Sequence, residues 1–119
     1  MKYYYKKNRL ILFWNIGKYV YQNRKSKCKS YKSMSNTLKY YFGFTEMFSI
    51  SGIKAMEKFY VCFPIFTLVH EKLDWDFYKK LLSLNDADYR MLYFRLAIFS
   101  SCDFLEFETA ISNKLVERI

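Results

Sequence analysis

Glycine and proline are nearly missing, with three and one in 119 residues. So little turn-forming material excludes collagen-like and linker-like chains and argues against a turn-dense all-β fold. Cysteine is sparse too. Cys28, Cys62 and Cys102 are odd in number, widely separated and form no C-x-x-C pair, which fits a reducing compartment rather than a disulfide framework. The single His70 has no second histidine or nearby cysteine to complete a ligand set, so no metal site or cofactor is expected. Long hydrophobic runs are also missing. Val61–Val69 is broken by Pro64 and Thr67 and cannot span a bilayer, and Leu10–Trp14 is too short for a signal segment. The expectation is a cytoplasmic protein with no membrane partner.

The most telling absence is acid. Residues 1–45 carry eleven lysines and arginines and no aspartate or glutamate, whereas residues 46–119 carry nine bases against eleven acids. A one-sided charge of this kind suits a polyanion, because neutralising phosphates releases condensed counterions. A solubilising basic face accounts for the same charge.

What is present is apolar and aromatic: hydrophobic residues make up 52% of the chain and aromatics 22%, far too rich for a disordered tail. Apolar residues recur at helical spacing. Leu10, Phe13, Ile16, Gly17, Val20 and Tyr21 predict a helix over 8–23, with 1–8 a frayed basic tail and Gln22–Lys29 a polar loop. Tyr31, Met34, Leu38, Tyr41 and Phe42 give a second helix, ended by Gly43. Ser49 or Ser51 caps a third, with Ile53, Met56, Tyr60 and Phe63 inside and Pro64 as its stop. Asp74 caps a fourth carrying Trp75, Tyr78, Leu81 and Leu82. Asn85 or Asp86 opens a fifth, with Tyr89, Leu92, Tyr93, Leu96 and Phe99 on its stripe. Asp103 and Glu106 have the spacing of a capping box for the sixth, through Phe107, Ile111 and Leu115. No segment alternates with period two. The expected fold is all-α: one domain over 1–119 of six short helices. Gly43 with the helix Ser49–Phe63 allows either a helix-turn-helix-like unit or a plain helical hairpin.

The order of motifs resembles the N-terminal domain of the YhcG family, bacterial proteins of the PD-(D/E)xK nuclease superfamily. Phe13-Trp14-Asn15-Ile16-Gly17 stands where that family has its "YW-x-IG" helix. Phe48-Ser49, Ile53, Met56, Phe59-Tyr60 and Phe63-Pro64 follow its second block at the same spacing. Leu73, Trp75, Tyr78 and Leu81-Leu82 follow the third. Asp86, Arg90, Tyr93 and Ala97 fit the next helix, and Glu108, Ile111 and Glu117-Arg118 the last. The chain departs from the pattern at Gly52-Ile53, Glu57, Asp76-Phe77 and Cys102-Asp103-Phe104-Leu105. Most apolar anchors are kept and several polar and aromatic signature positions are not. The resemblance implies an all-helical domain associated with a nuclease.

A nuclease of that superfamily needs an acid and then an acid-x-Lys, so that carboxylates hold Mg²⁺ and the lysine steadies the attacking water. No aspartate or glutamate here is followed two residues later by lysine. The expectation is no hydrolase activity and no catalytic residue.

Candidate nucleic-acid contacts are therefore the densest bases: Arg24, Lys25, Lys27, Lys29 and Lys32 in and after the polar loop, and Lys54 and Lys58 on the third helix. Glu57, expected on the same solvated side as those two lysines, would face phosphates unfavourably. The sequence thus points to a non-catalytic DNA-binding helical domain, or to a protein-interaction module that docks on a nuclease subunit or pairs with itself.

Overall fold

A computed structural model describes residues 2–43, 46–65, 73–115 and 117, with side chains from Arg9 onward. Among the described residues there are six α-helices and no strand: α1 (Lys2–Lys27), α2 (Tyr31–Phe42), α3 (Ile50–Cys62), α4 (Trp75–Leu82), α5 (Ala87–Ser100) and α6 (Phe104–Ser112), with a 3-10 helix at Glu46–Phe48 before α3. The all-α reading holds.

The caps stand where local chemistry puts them. The Ser30, Ser49, Asp74 and Asp86 side chains each accept a backbone N–H in the first turn of α2, α3, α4 and α5 respectively. Asp103 and Glu106 close the expected capping box on α6: the Asp103 carboxylate accepts the Glu106 N–H at 2.8 Å and the Glu106 carboxylate accepts the Asp103 N–H at 3.2 Å. Such reciprocal bonds satisfy donors that a helix start leaves orphaned. Gly43 ends α2 at φ 102, its N–H returning to the Lys39 carbonyl at 2.8 Å.

Two boundaries differ from the sequence reading. The first helix is 26 residues long rather than 16: it starts at Lys2, where a frayed tail was expected, and absorbs most of the expected loop. Its last turns hold because their polar groups bond within the helix. Asn23 Nδ2 donates to the Tyr19 carbonyl at 2.8 Å and Ser26 Oγ to the Gln22 carbonyl at 2.6 Å. Arg24, Lys25 and Lys27 also sit at the negative end of the helix dipole. The turn comes only at Cys28, with φ 53. Between α2 and α3 the boundaries stand where Gly43 and Ser49 put them, and residues 43–49 intervene. That connector is longer than the three- or four-residue turn of a helix-turn-helix.

The chain packs as two compact units. One comprises residues 11–69: most of α1, then α2, the 3-10 helix and α3. Phe13, Val20, Met34, Ile53, Met56 and Phe59 form its core, and the buried Ser35 Oγ donates to the Phe48 carbonyl at 2.5 Å. The other comprises residues 1–10 and 70–119. Its core includes Leu10, Trp75, Tyr78, Leu81, Tyr93 and Phe107. There Phe77 lies 5.5 Å from the ring of Phe104 and 5.1 Å from that of Phe107, and Tyr93 Oη donates to Glu117 at 3.1 Å.

Several expected stripe residues are not buried. Tyr41, Phe42, Tyr89, Leu92, Phe99 and Leu115 are exposed; on α5 Tyr93 is buried as expected, joined by Phe94 and Ala97 from outside the expected stripe. Helical spacing locates an apolar face, but it cannot say how much of that face a neighbour covers. His70 lies outside the described residues. No helix among the described residues is long and apolar enough to cross a membrane.

Candidate nucleic-acid interface

The three helices of the 11–69 unit meet along one flank of α1. Trp14, Gly17, Tyr21 and Arg24 recur every three or four residues, and each touches α3 or the residue that caps its C-terminus, Phe63. Trp14 Nε1 donates to the Phe63 carbonyl at 2.7 Å, and its ring packs edge-on against Tyr60 with centroids 5.1 Å apart. Gly17 lies against the backbone of Met56. Tyr21 stacks obliquely on Tyr60 at 5.6 Å. Arg24 closes the row on Glu57: its Nε donates to Oε2 at 2.9 Å and its Nη2 to Oε1 at 3.3 Å.

Glu57 is the residue that the sequence misplaces. It was expected on the solvated side of α3, but it is only 7% exposed. Tyr31, from the first turn of α2, donates its Oη to the same carboxylate at 2.6 Å. One carboxylate thus joins α1, α2 and α3. Burying it is tolerable because the fork of Arg24 and a phenol fill its acceptor sites. A buried acid with a base and a tyrosine far away in sequence leaves no local signal.

The candidate contact residues group around this latch only in part. The Arg24 guanidinium carbon is 5.3 Å from the centre of the Tyr31 ring, and Lys54 Nζ is 5.0 Å from it; both are cation–π distances. Lys25 Nζ is 5.8 Å from the centre of the Tyr21 ring. Lys27, at the end of α1, Lys29 in the connector, Lys32 on α2 and Lys58 on α3 are exposed. Arg24 is thereby a structural residue whose charge is already paired, and the lysines carry the remaining positive surface.

The latch has a titration signature. Burial, and next the hydrogen bond to Glu57, raise the Tyr31 phenol above its ordinary value of 10.0. The hydrogen bond that Arg24 donates to Glu57 likewise holds its guanidinium above its usual range. A raised phenol keeps its proton longer in the folded than in the unfolded chain. Its contribution is therefore complete below pH 10.0 and falls as pH rises beyond it. Urea unfolding of wild type and Tyr31→Phe is expected to differ most at neutral pH, with the gap narrowing above pH 10.0. A gap that stayed constant would mean that neither burial nor the bond to Glu57 holds the phenol proton in solution.

Elsewhere, a cavity of about 470 Å³ in the other unit is lined in part by Asp74, Asp76, Cys102 and Asp103. Two of these acids cap helices, and Asp76 faces Lys79 at 3.8 Å. Among the described residues no cluster of histidine, cysteine, aspartate or glutamate is placed to hold a metal.

Helices throughout, with a three-helix unit that presents lysines around a latched carboxylate, define a small all-α domain with one basic unit. The chain belongs to the family of DUF1016 N-terminal domains, whose model matches residues 5–118. This is the family of the YhcG resemblance, and the match covers nearly the whole chain. No curated protein and no solved structure matches it.

Proposed function

We propose that the 11–69 unit is a non-catalytic module that binds the phosphate backbone of DNA. The observation that carries this reading is the fate of its acids. Residues 11–69 hold nine lysines and arginines against two acids, Glu46 and Glu57. Because Glu57 is turned inward onto Arg24 and Tyr31, the objection that it would repel phosphates is removed. Six of its eight lysines are exposed and two half-buried, and Glu46 is the one exposed acid of the unit's described residues. Flexible lysines on this surface position a backbone without reading its sequence. The absence of any acid-x-Lys spacing supports binding without hydrolysis.

Lys25, Lys27, Lys29 and Lys32 are the residues to remove, with Arg24 left in place so that the latch survives. Fluorescence anisotropy with duplex DNA should give a log–log salt slope of about −3 to −5, corresponding to three to five neutralised phosphates. In the fourfold alanine variant the slope should be flatter and the loss the same for all sequences. Lys54→Ala with Lys58→Ala tests α3 separately: a changed sequence preference would assign base reading to that helix. No wild-type binding at low salt would overturn the proposal. The other reading, docking on a nuclease subunit or self-association, would then be favoured, because an apolar interface is insensitive to salt.

A further inference from the structure

We infer that the nucleic acid this unit prefers is single-stranded, with unpaired bases stacking on the C-terminal end of α2. The inference rests on the phosphate-binding reading above and adds the class of ligand. Three consecutive aromatic residues end α2, and all are open to solvent: Tyr40 is 81% exposed, Tyr41 73% and Phe42 57%. Large apolar surface grouped in this way marks a contact site more often than a solvent face. The rings of Tyr40 and Tyr41 lie 5.2 Å apart at 88°, so they present two faces at right angles instead of covering each other.

The same helix carries the charge that a backbone needs. Lys32, Asn36 and Tyr40 follow at intervals of four on exposed positions, which aligns them along one side of α2 over about 12 Å. A strand held at Lys32 and the neighbouring Lys29 would bring its next bases to the rings. Beside the rings lies a groove of about 600 Å³ between α1 and α2, walled by Leu12, Ile16, Leu38, Tyr41 and Phe42, with Asn15 and Thr37 among its lining. Both polar side chains already donate to their own helix, to the Ile11 and Ser33 carbonyls. The groove is therefore apolar in character, matching the flat face of a base. A polyanion that also exposes aromatic faces is complementary to this surface in both charge and shape. In a duplex those faces are stacked on one another and withheld, so the rings would gain nothing from it. Base–aromatic stacking is tolerant of sequence, in keeping with lysines that read none.

The test is anisotropy on the full chain with labelled oligothymidylate, oligouridylate and a duplex of equal length at one salt concentration. Oligothymidylate or oligouridylate should bind more tightly than duplex, and the two arms tell DNA from RNA. Tyr40→Ala with Tyr41→Ala should weaken single-strand binding roughly 10- to 100-fold and change duplex binding by less than about twofold. Tyr40→Trp should keep the single-strand affinity, and its added emission should be quenched by the bound strand. Tyr40→Ala alone, at the most exposed of the three rings, repeats the test if circular dichroism shows the double variant to be misfolded. Equal loss on single strands and duplex, or no loss on either, overturns the inference. Wild type that binds duplex but neither single strand overturns it while leaving the phosphate-binding reading intact. Binding to none of the three overturns both, and a protein partner for the rings is then the reading left.

Discussion

Gly17→Ala is expected to destabilise the protein by about 3 kcal/mol, at the upper end of overpacking penalties. For a domain of this size that lowers Tm by roughly 10 °C or more. In an open helix the same change would be favourable, since alanine is about 1 kcal/mol better than glycine at a helix interior. Gly17 is not open. A Cβ there would stand 2.7 Å from the Met56 carbonyl carbon and nearer still to its oxygen, with the Tyr60 Cβ at 3.1 Å. The obstruction is backbone, so no rotamer change relieves it; α1 and α3 would have to separate. Separation would also loosen the Trp14 and Arg24 contacts on either side. Thermal unfolding followed by circular dichroism measures the effect, and its sign decides the matter. An unchanged or raised Tm would mean that α1 and α3 do not approach so closely in solution.

Glu57→Ala is expected to cost about 2–3 kcal/mol. A fully buried pair that loses one partner costs about 3–5 kcal/mol, but Arg24 keeps 34% of its side chain in water and recovers part of its solvation. Tyr31 recovers less, because burial already desolvates it. The loss should be shared between the two donors. Urea unfolding of Arg24→Ala, Glu57→Ala and the double variant should therefore show losses that are less than additive. Additive effects would reduce the latch to a surface ion pair worth little.

Most of the fold could be read from the sequence because its punctuation is local. The caps at Ser49, Asp74, Asp86 and Asp103 act within a single turn, and the stop at Gly43 depends on its own backbone. The length of α1 could not be read, since residues 1–10 and 11–27 belong to different units and no one apolar stripe runs its length. Residues 22–27 look like a loop for the same reason: they are polar, and their helicity rests on side chains bonding back into the helix and on a glutamate 33 residues away. Glu57 shows the same limit at the candidate site. Lysine density picks out Lys25, Lys27 and Lys29 directly, but only tertiary structure separates Arg24, a charge already paired, from the lysines beside it. The exposed Tyr41 and Phe42 complete the pattern. Helical period assigns them to a buried stripe, and nothing in the period tells a face that meets another helix from one that meets solvent.

Trp14 and Trp75 are the only tryptophans in the chain, and each belongs to a different unit. Their surroundings differ as well. The Trp14 indole is half-buried and hydrogen-bonded to a carbonyl at the end of α3, whereas Trp75 is buried at the start of α4. Each unit thus contains its own intrinsic fluorophore. Single-tryptophan proteins made by Trp14→Phe or Trp75→Phe would emit from one unit at a time, one reporting the α1–α3 contact and the other the C-terminal core. Whether the units melt together or in sequence becomes an optical question that needs no added label. The same emission would show which of the two responds when a nucleic acid is added.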